Sequence, residues 1–352
     1  MKLFDPVVAE ARLHPNLRSI LSTGNVYNMD VLQDWARGFV DRDGKFVEEF
    51  QTTFNSSFWE LYLFAVLKKY GMSVDFSQAR PDFCVPSLGL NIEATIASNA
   101  QSAEPEFARL GKIPPGDLNI FNLQTIVRLS NSLAAKHRKY IESYAPLGHV
   151  QDRAYVVAVT NFDQPFSFMA CQRPIEALLY GYYVDEERYI ATGGKEGRLQ
   201  GEELLQVFKN NGSPIDLCLF TTPAYREISA VIFSGCATMG KVRALSSDPN
   251  PNIVFTALRL NRSSDRPHLI REPKRRYQES LLDGLRVYHN PFAQHPLDPA
   301  LFRHPSVCQW YFQDCEEVVE QREGQLLFRC VNTVLDKPGT AAPGVVGQSD
   351  RS

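Results

Sequence analysis

No run of apolar residues approaches the roughly 18 needed to span a bilayer, and the opening MKLFDPVVAEARLHP has no signal-peptide core. Membrane insertion is therefore not expected, and a cytoplasmic location is. Positive charge is not in excess either. The 37 Lys and Arg against 40 Asp and Glu leave a net charge of −3, so binding to a polyanion would need a local patch rather than an overall field. The seven cysteines are odd in number and spread mostly through apolar runs, which argues against a disulfide framework and for reduced core residues. Zinc-type spacing is missing: His289 and His295 have neither an i,i+4 partner nor a cysteine pair. The glycine-rich GGKEGR at 193 to 198 lacks the order of a phosphate loop and is expected to be a turn.

What remains is an ordinary globular composition, 44% hydrophobic and 22% charged, able to bury a sizeable core. Its most informative segment is RPDFCVPSLGLNIEATI, in which ten residues separate Asp82 from Glu93. Phe83, Val85, Leu90, Ile92 and Ile96 are strand formers, and Pro86 and Gly89 bracket a reversal, so a β-hairpin is predicted. With the turn centred on Ser87-Leu88, residues whose numbers sum to 175 face each other, and Asp82 falls opposite Glu93. Cβ atoms in such a pair lie about 5 Å apart, and like charges there are unfavourable without a cation or a shared proton. A divalent metal held by oxygen ligands, Mg2+ or Mn2+, suits two carboxylates. The alternative makes Asp82 a turn residue and Glu93 a solvated residue on an edge strand.

Upstream, KFVEEFQTTFNSSFWELYLFAVLKKYG places Phe46, Phe50, Phe54, Phe58, Leu61 and Ala65 at steps of three and four, which predicts a helix ending at Gly71. From Phe58 to Leu67 every residue but Glu60 is apolar or aromatic, so Glu60 is a carboxylate inside a core and requires a partner. An arginine is one candidate, a metal another.

Helix with Glu60, strand, Asp82 on a strand, Glu93 on the next: this order, with Pro81-Asp82 followed by Glu93-Ala94-Thr95, resembles the PD-(D/E)xK nuclease superfamily. The likeness covers roughly Phe46 to Phe162, about a third of the chain. It implies a restriction-endonuclease-like αβββαβ core with a mixed sheet, in which Asp82 and Glu93 hold Mg2+, Glu60 assists, and the Ala94 carbonyl faces the metal. The family's lysine, two residues after the second acid, is replaced here by Thr95. Some members supply that lysine from the following helix.

That helix is predicted over FNLQTIVRLSNSLAAKHRKYIESY, with Leu123, Ile126, Val127, Leu133, Ala134, His137 and Ile141 as its apolar stripe. Arg128, Lys136, Arg138 and Lys139 flank it, with no acid from 121 to 141. At 100° per residue, Arg128, Ser132 and Lys139 fall within about 40° of one another and Lys136 lies about 80° from Arg128. Either lysine can reach the hairpin, and Lys136, nearer the stripe, is preferred; a solvated basic face is the alternative. RAYVVAVTNF then reads as a central strand covered on both faces, which makes the fold α/β.

Beyond this, a helix is expected in PIEALLYG, strands in IDLCLF, REISAVIF and NIVFTALRL, a helix in YQESLLDGL, and a hairpin in VVEQREGQLLFRC turning at Arg322-Glu323-Gly324. The expected organisation is an N-terminal helical extension (1–45), the nuclease-like core (46–165), an α+β elaboration or second domain (166–334) and a disordered tail (335–352). From Arg259 to Arg276 seven bases face two acids. Arg271, Lys274, Arg275 and Arg276, with Arg128 and Lys139, are the expected nucleic-acid contacts, a solvated loop being the alternative. The expected function is Mg2+-dependent hydrolysis of phosphodiesters, with DNA as the substrate and Glu60, Asp82, Glu93 and Lys136 as the catalytic set. An inactive nuclease-like binding module and a small-phosphoester hydrolase are the rivals, and pairing with a second copy or a partner subunit is left open.

Overall fold

The computed structural model describes residues 1–99, 104–108, 117–192, 201–264 and 266–334. The GGKEGR turn, Asp265 and the C-terminal tail therefore lie outside the described residues. The N-terminal region is helical. α1 (Pro15–Ser22) starts on His14, whose Nδ1 accepts the Asn16 N–H, and α2 (Val26–Trp35) is capped by the Asn25 side chain. The single helix expected from residue 46 onward is two: α3 (Phe46–Thr52) and α4 (Asn55–Lys69). At the break the Thr52 and Thr53 hydroxyls donate back to the Glu48 and Glu49 carbonyls, local bonds that compete with helix continuation.

Between Phe58 and Leu67 every α4 residue except Glu60 is buried. The polar tips on this apolar cylinder find partners: Trp59 Nε1 donates to the Ala158 carbonyl at 3.0 Å and the Tyr62 hydroxyl to the Leu281 carbonyl at 3.0 Å. Lys68 caps the last turn of α2 through the Asp34 and Arg37 carbonyls.

β1 (Phe83–Val85) and β2 (Leu90–Ser98) form the hairpin, paired Phe83 with Ile92, Cys84 with Asn91 and Val85 with Leu90, the register read from the sequence. Gly89 turns the chain at φ +57, a left-handed conformation that suits glycine. On the other side of β1, Asp75 makes an antiparallel bridge to Cys84. α5 (Leu118–Lys139) crosses from β2 to the parallel β3 (Ala154–Phe162), and its end widens into a π-helical turn over Tyr140–Tyr144.

Next come α6 (Arg173–Tyr180), β4 (Tyr182–Val184), α7 (Glu186–Ala191), β5 (Gly201–Glu203), β6 (Gln206–Phe208) and β7 (Pro214–Asp216). The strand expected over 215 to 220 is thus only this short one, and it pairs in a two-stranded ribbon with β6. β8 (Ala230–Phe233), α8 (Met239–Leu245), β9 (Ile253–Arg259), β10 (His268–Pro273), β11 (Arg286–His289), β12 (Cys308–Gln313), β13 (Glu316–Glu320) and β14 (Leu326–Thr333) complete the chain. A seven-stranded mixed sheet has the order β1-β2-β3-β8-β11-β12-β13, and a separate antiparallel sheet has the order β10-β9-β14.

Two expectations fail here for one reason, that long-range pairing overrides local pattern. The reversal at Arg322-Glu323-Gly324 is not a hairpin, because β13 pairs with β12 while β14 joins β9 in the other sheet. Residues 277–285 form no helix: 281–284 make a turn and the rest is irregular. Glu279 in that stretch is buried against Lys241 and against Arg329 Nε at 2.9 Å, fastening the segment to α8 and β14.

The core divides by strand periodicity. Val156 and Ala158 of β3 face α4, whereas Tyr155, Val157 and Val159 face Ile126, Leu129 and Leu133 of α5 and Leu179 of α6. Ile141, expected in the α5 stripe, is 52% exposed, since the π-helical turn shifts the residues after Lys139 out of the 3.6 period. The cysteines are all unpaired; Cys84, Cys236 and Cys308 are buried, but Cys315 is exposed in the turn between β12 and β13.

Candidate active site on the hairpin and the helix that follows

Asp82 immediately precedes β1, one step beyond the Phe83–Ile92 pair, and so stands opposite Glu93. Its Oδ2 accepts the Ala94 N–H at 2.7 Å. Arg42 steadies the approach to it by donating to the Gln78 carbonyl at 2.5 Å.

Glu93 is not a solvated edge residue. Only 1% exposed, it lies on β2 between β1 and β3. Its Oε1 takes the Lys136 ammonium at 2.7 Å and the Lys139 ammonium at 3.0 Å, and its Oε2 takes the Tyr144 hydroxyl at 3.0 Å. The two lysines are three residues apart in α5 and so are neighbours on one face. Ser132, one turn earlier, donates to the Ile96 carbonyl at 3.2 Å and holds that face against β2. Sequence reasoning left Lys136 and Lys139 as alternatives, and both arrive; Lys136 is 20% exposed and Lys139 46%. Arg128 is half-buried on the same helix, without a hydrogen bond or ion pair among the described residues.

The three acids share one electrostatic environment. Burial pushes Glu60 up to about 8, with the Asp82 charge adding to it, Arg42 opposing, and Glu49 and Glu93 adding further. Asp82 is pushed up to about 6 by burial and then by Glu93, against Lys136, the Ala94 N–H and Lys139. For Glu93 burial also acts upward, but Lys136 and Lys139 outweigh it and its carboxyl is held below the ordinary range. Glu60 makes no ion pair among the described residues, so the arginine expected as one candidate partner acts only at a distance, as Arg42. No three His, Cys, Asp or Glu side chains are arranged to hold a metal ion among the described residues.

The basic stretch from Arg259 to Arg276 divides. Arg259 is consumed by the Gly324 and Gln278 carbonyls and Asp283, and Lys274 by the Ala244 carbonyl at 2.7 Å. This removes Lys274 from the exposed set. Arg271, Arg275 and Arg276 are exposed on and after β10, in a sheet to which neither β1 nor β2 belongs. His289 is buried against Gln309 at 2.9 Å, a core residue.

Two site residues had no readable signal. Tyr144 reaches Glu93 only because α5 widens after Lys139, which no 3.6-residue pattern announces. Arg42 acts through contacts more than thirty residues away. Tyr144→Phe removes a buried bond to an ionised group, and it is expected to cost about 1–2 kcal/mol in urea unfolding and to raise the Glu93 titration seen by carboxyl NMR.

Compared with protein-family models, with curated proteins and with solved structures, the chain matches none of them.

Proposed function

We propose that this chain is a metal-dependent nuclease of the PD-(D/E)xK type that hydrolyses phosphodiester bonds, with DNA as its substrate. The observation that carries the reading is Asp82 standing opposite Glu93 while Lys136 and Lys139 of the next helix both touch Glu93. Partial support comes from the order of elements: α4, β1, β2, α5 and β3 run αββαβ, one strand short of the expected αβββαβ, with only the isolated Asp75–Cys84 bridge ahead of β1. The ammonium missing at Thr95 is supplied by α5.

The donor set fits Mg2+ or Mn2+ as a pair of carboxylates rather than a triad. Mg2+ commonly takes one or two carboxylates and fills its remaining positions with waters and substrate phosphate. Asp82 keeps Oδ1 uncommitted and Glu60 has no ion pair among the described residues; carboxyls pushed upward by burial and by a neighbouring acid, Glu60 by Asp82 and Asp82 by Glu93, are what a bound cation relieves. When bound, such an ion supplies an activated water and charge stabilisation at phosphorus. The chain's residues do the rest. Ala94 N–H orients Asp82, Tyr144 fixes Glu93, and Lys136 and Lys139 offer charge to a phosphate oxygen that displaces them from Glu93. Glu60, which makes no ion pair among the described residues, is the second carboxylate available to that ion.

One rival has an observation in its favour. Glu93 already holds three donors, as it would in a nuclease-like module that only binds. Purified protein incubated with linear, circular and single-stranded DNA and with RNA, with and without Mg2+, decides: Mg2+-dependent cleavage is expected, most of all on DNA, and salt should weaken binding steeply. Inactivity of the wild-type chain on every substrate overturns the enzymatic reading.

A further inference from the structure

A cavity of about 880 Å³ lies away from the acids just described; none of Glu60, Asp82, Glu93, Lys136 or Lys139 lines it. Its volume suits a drug-sized ligand, for which about 300–1,000 Å³ is usual. One wall is aromatic. Tyr180 stacks on Trp310 with centroids 4.6 Å apart, Tyr182 meets the Trp310 edge at 5.9 Å, and Phe312 lies 6.4 Å from Tyr180. The Tyr180 hydroxyl donates to the His289 carbonyl at 2.8 Å, which fixes the ring plane.

The charged lining is acidic: Glu176, Glu202, Glu203 and Glu317 against Arg173. Two of these carboxylates are compensated from behind, Glu176 by Arg286 at 3.5 Å and the Tyr288 hydroxyl, and Glu202 by Arg188 at 2.5 Å. Glu203 and Glu317 make no ion pair among the described residues, while Arg173 donates to the Ala170 and Met169 carbonyls. Burial first, and then the Glu317 and Glu176 charges, push both the Tyr180 and Tyr182 phenols up, so the negative field reaches the aromatic wall. A phosphate-bearing ligand would meet unfavourable charge here. A cation with an apolar body would meet aromatic rings, apolar side chains such as Leu258 and Leu327, and two carboxylates with no ion pair among the described residues, each of which favours it.

We infer that this cavity is a binding site for a small organic cation of the alkylammonium class, formed by Tyr180, Tyr182, Trp310 and Phe312 with Glu203 and Glu317. The site does not depend on the nuclease reading, and either can fail without the other. The test is calorimetric titration of the full chain with tetraethylammonium and with spermidine, using AMP as an anionic probe. Saturable binding of at least one cation with Kd below about 1 mM is expected, with AMP weaker. Tyr182 is 40% exposed and Glu317 is exposed on β13, so Tyr182→Ala and Glu317→Gln leave the fold intact. Each should weaken the cation about five-fold or more. No saturable heat with either cation, AMP binding more tightly, or unchanged affinity in both variants would overturn the assignment.

Discussion

Asp82→Ala is expected to lower Mg2+-dependent DNA cleavage by about a thousand-fold or more, equivalent to roughly 4 kcal/mol of transition-state stabilisation, while the protein stays folded. The fold is spared because Asp82 precedes β1 and lies outside the ladder, whose pairs begin at Phe83. Its loss also relieves Glu60, whose carboxyl the Asp82 charge pushes upward. Asp82→Asn separates two roles. It keeps an acceptor for the Ala94 N–H, now held at 2.7 Å, but removes the charge that a divalent ion requires. Equal inactivity of both variants, with Mg2+ affinity lost in both by calorimetry, assigns the effect to charge. Cleavage by Asp82→Ala at the wild-type rate would remove Asp82 from the machinery.

Without metal, the protein should lose stability as the pH rises from about 6.5 to 8, the reverse of the trend set by acids held in ion pairs. Glu60 goes from 4.5 to about 8 on folding and Asp82 from 3.8 to about 6, so these two carboxyls keep protons that the unfolded state has released; His14, lowered by burial from 6.5 to about 4, acts the other way at lower pH, which leaves Glu60 to set the slope above it. Stability then falls with pH until the folded-state values are passed. Glu93 is shifted the other way and contributes stability that is lost only in acid. Glu60→Gln removes the larger upward shift, and it should flatten the slope and raise stability at pH 9 by roughly 3 kcal/mol. Mg2+ should reverse the trend, because it binds the deprotonated carboxylates and competes with protons for them. Urea unfolding at pH 5, 7 and 9, with and without Mg2+, reads all of this. Identical curves for Glu60→Gln and wild type at pH 9 would show that Glu60 ionises in the fold without difficulty.

The hairpin was legible to the residue, because two short strands joined by Pro86-Ser87-Leu88-Gly89 leave few registers that bury Phe83, Val85, Leu90 and Ile92 together. Burial of α4 was legible for a similar reason, an apolar surface on nearly all sides, but Glu60, read as a carboxylate inside that core, is only partly buried and makes no ion pair among the described residues. The reach of the α5 bases to Glu93 followed from helical geometry. Most of what failed was non-local. The irregular stretch at 277–285 answers to Lys241 and Arg329, and β13 and β14 choose different sheets; each is decided by a partner whose identity the local sequence does not carry. The split of α3 from α4 is the exception, since the Thr52 and Thr53 hydroxyls bond to carbonyls four residues back.

The large sheet has one further consequence. β8 lies alongside β3 from Val156 to Val159 and is itself flanked by β11, so strands drawn from well past residue 165 shield the strand beside the Glu93-bearing β2. A polypeptide truncated near 165 would present β3 with a naked row of amide and carbonyl groups beside the apolar run Val156–Val159, an invitation to self-association. The acid-bearing hairpin of the first half and the strands of the second are thus woven into a single cloth.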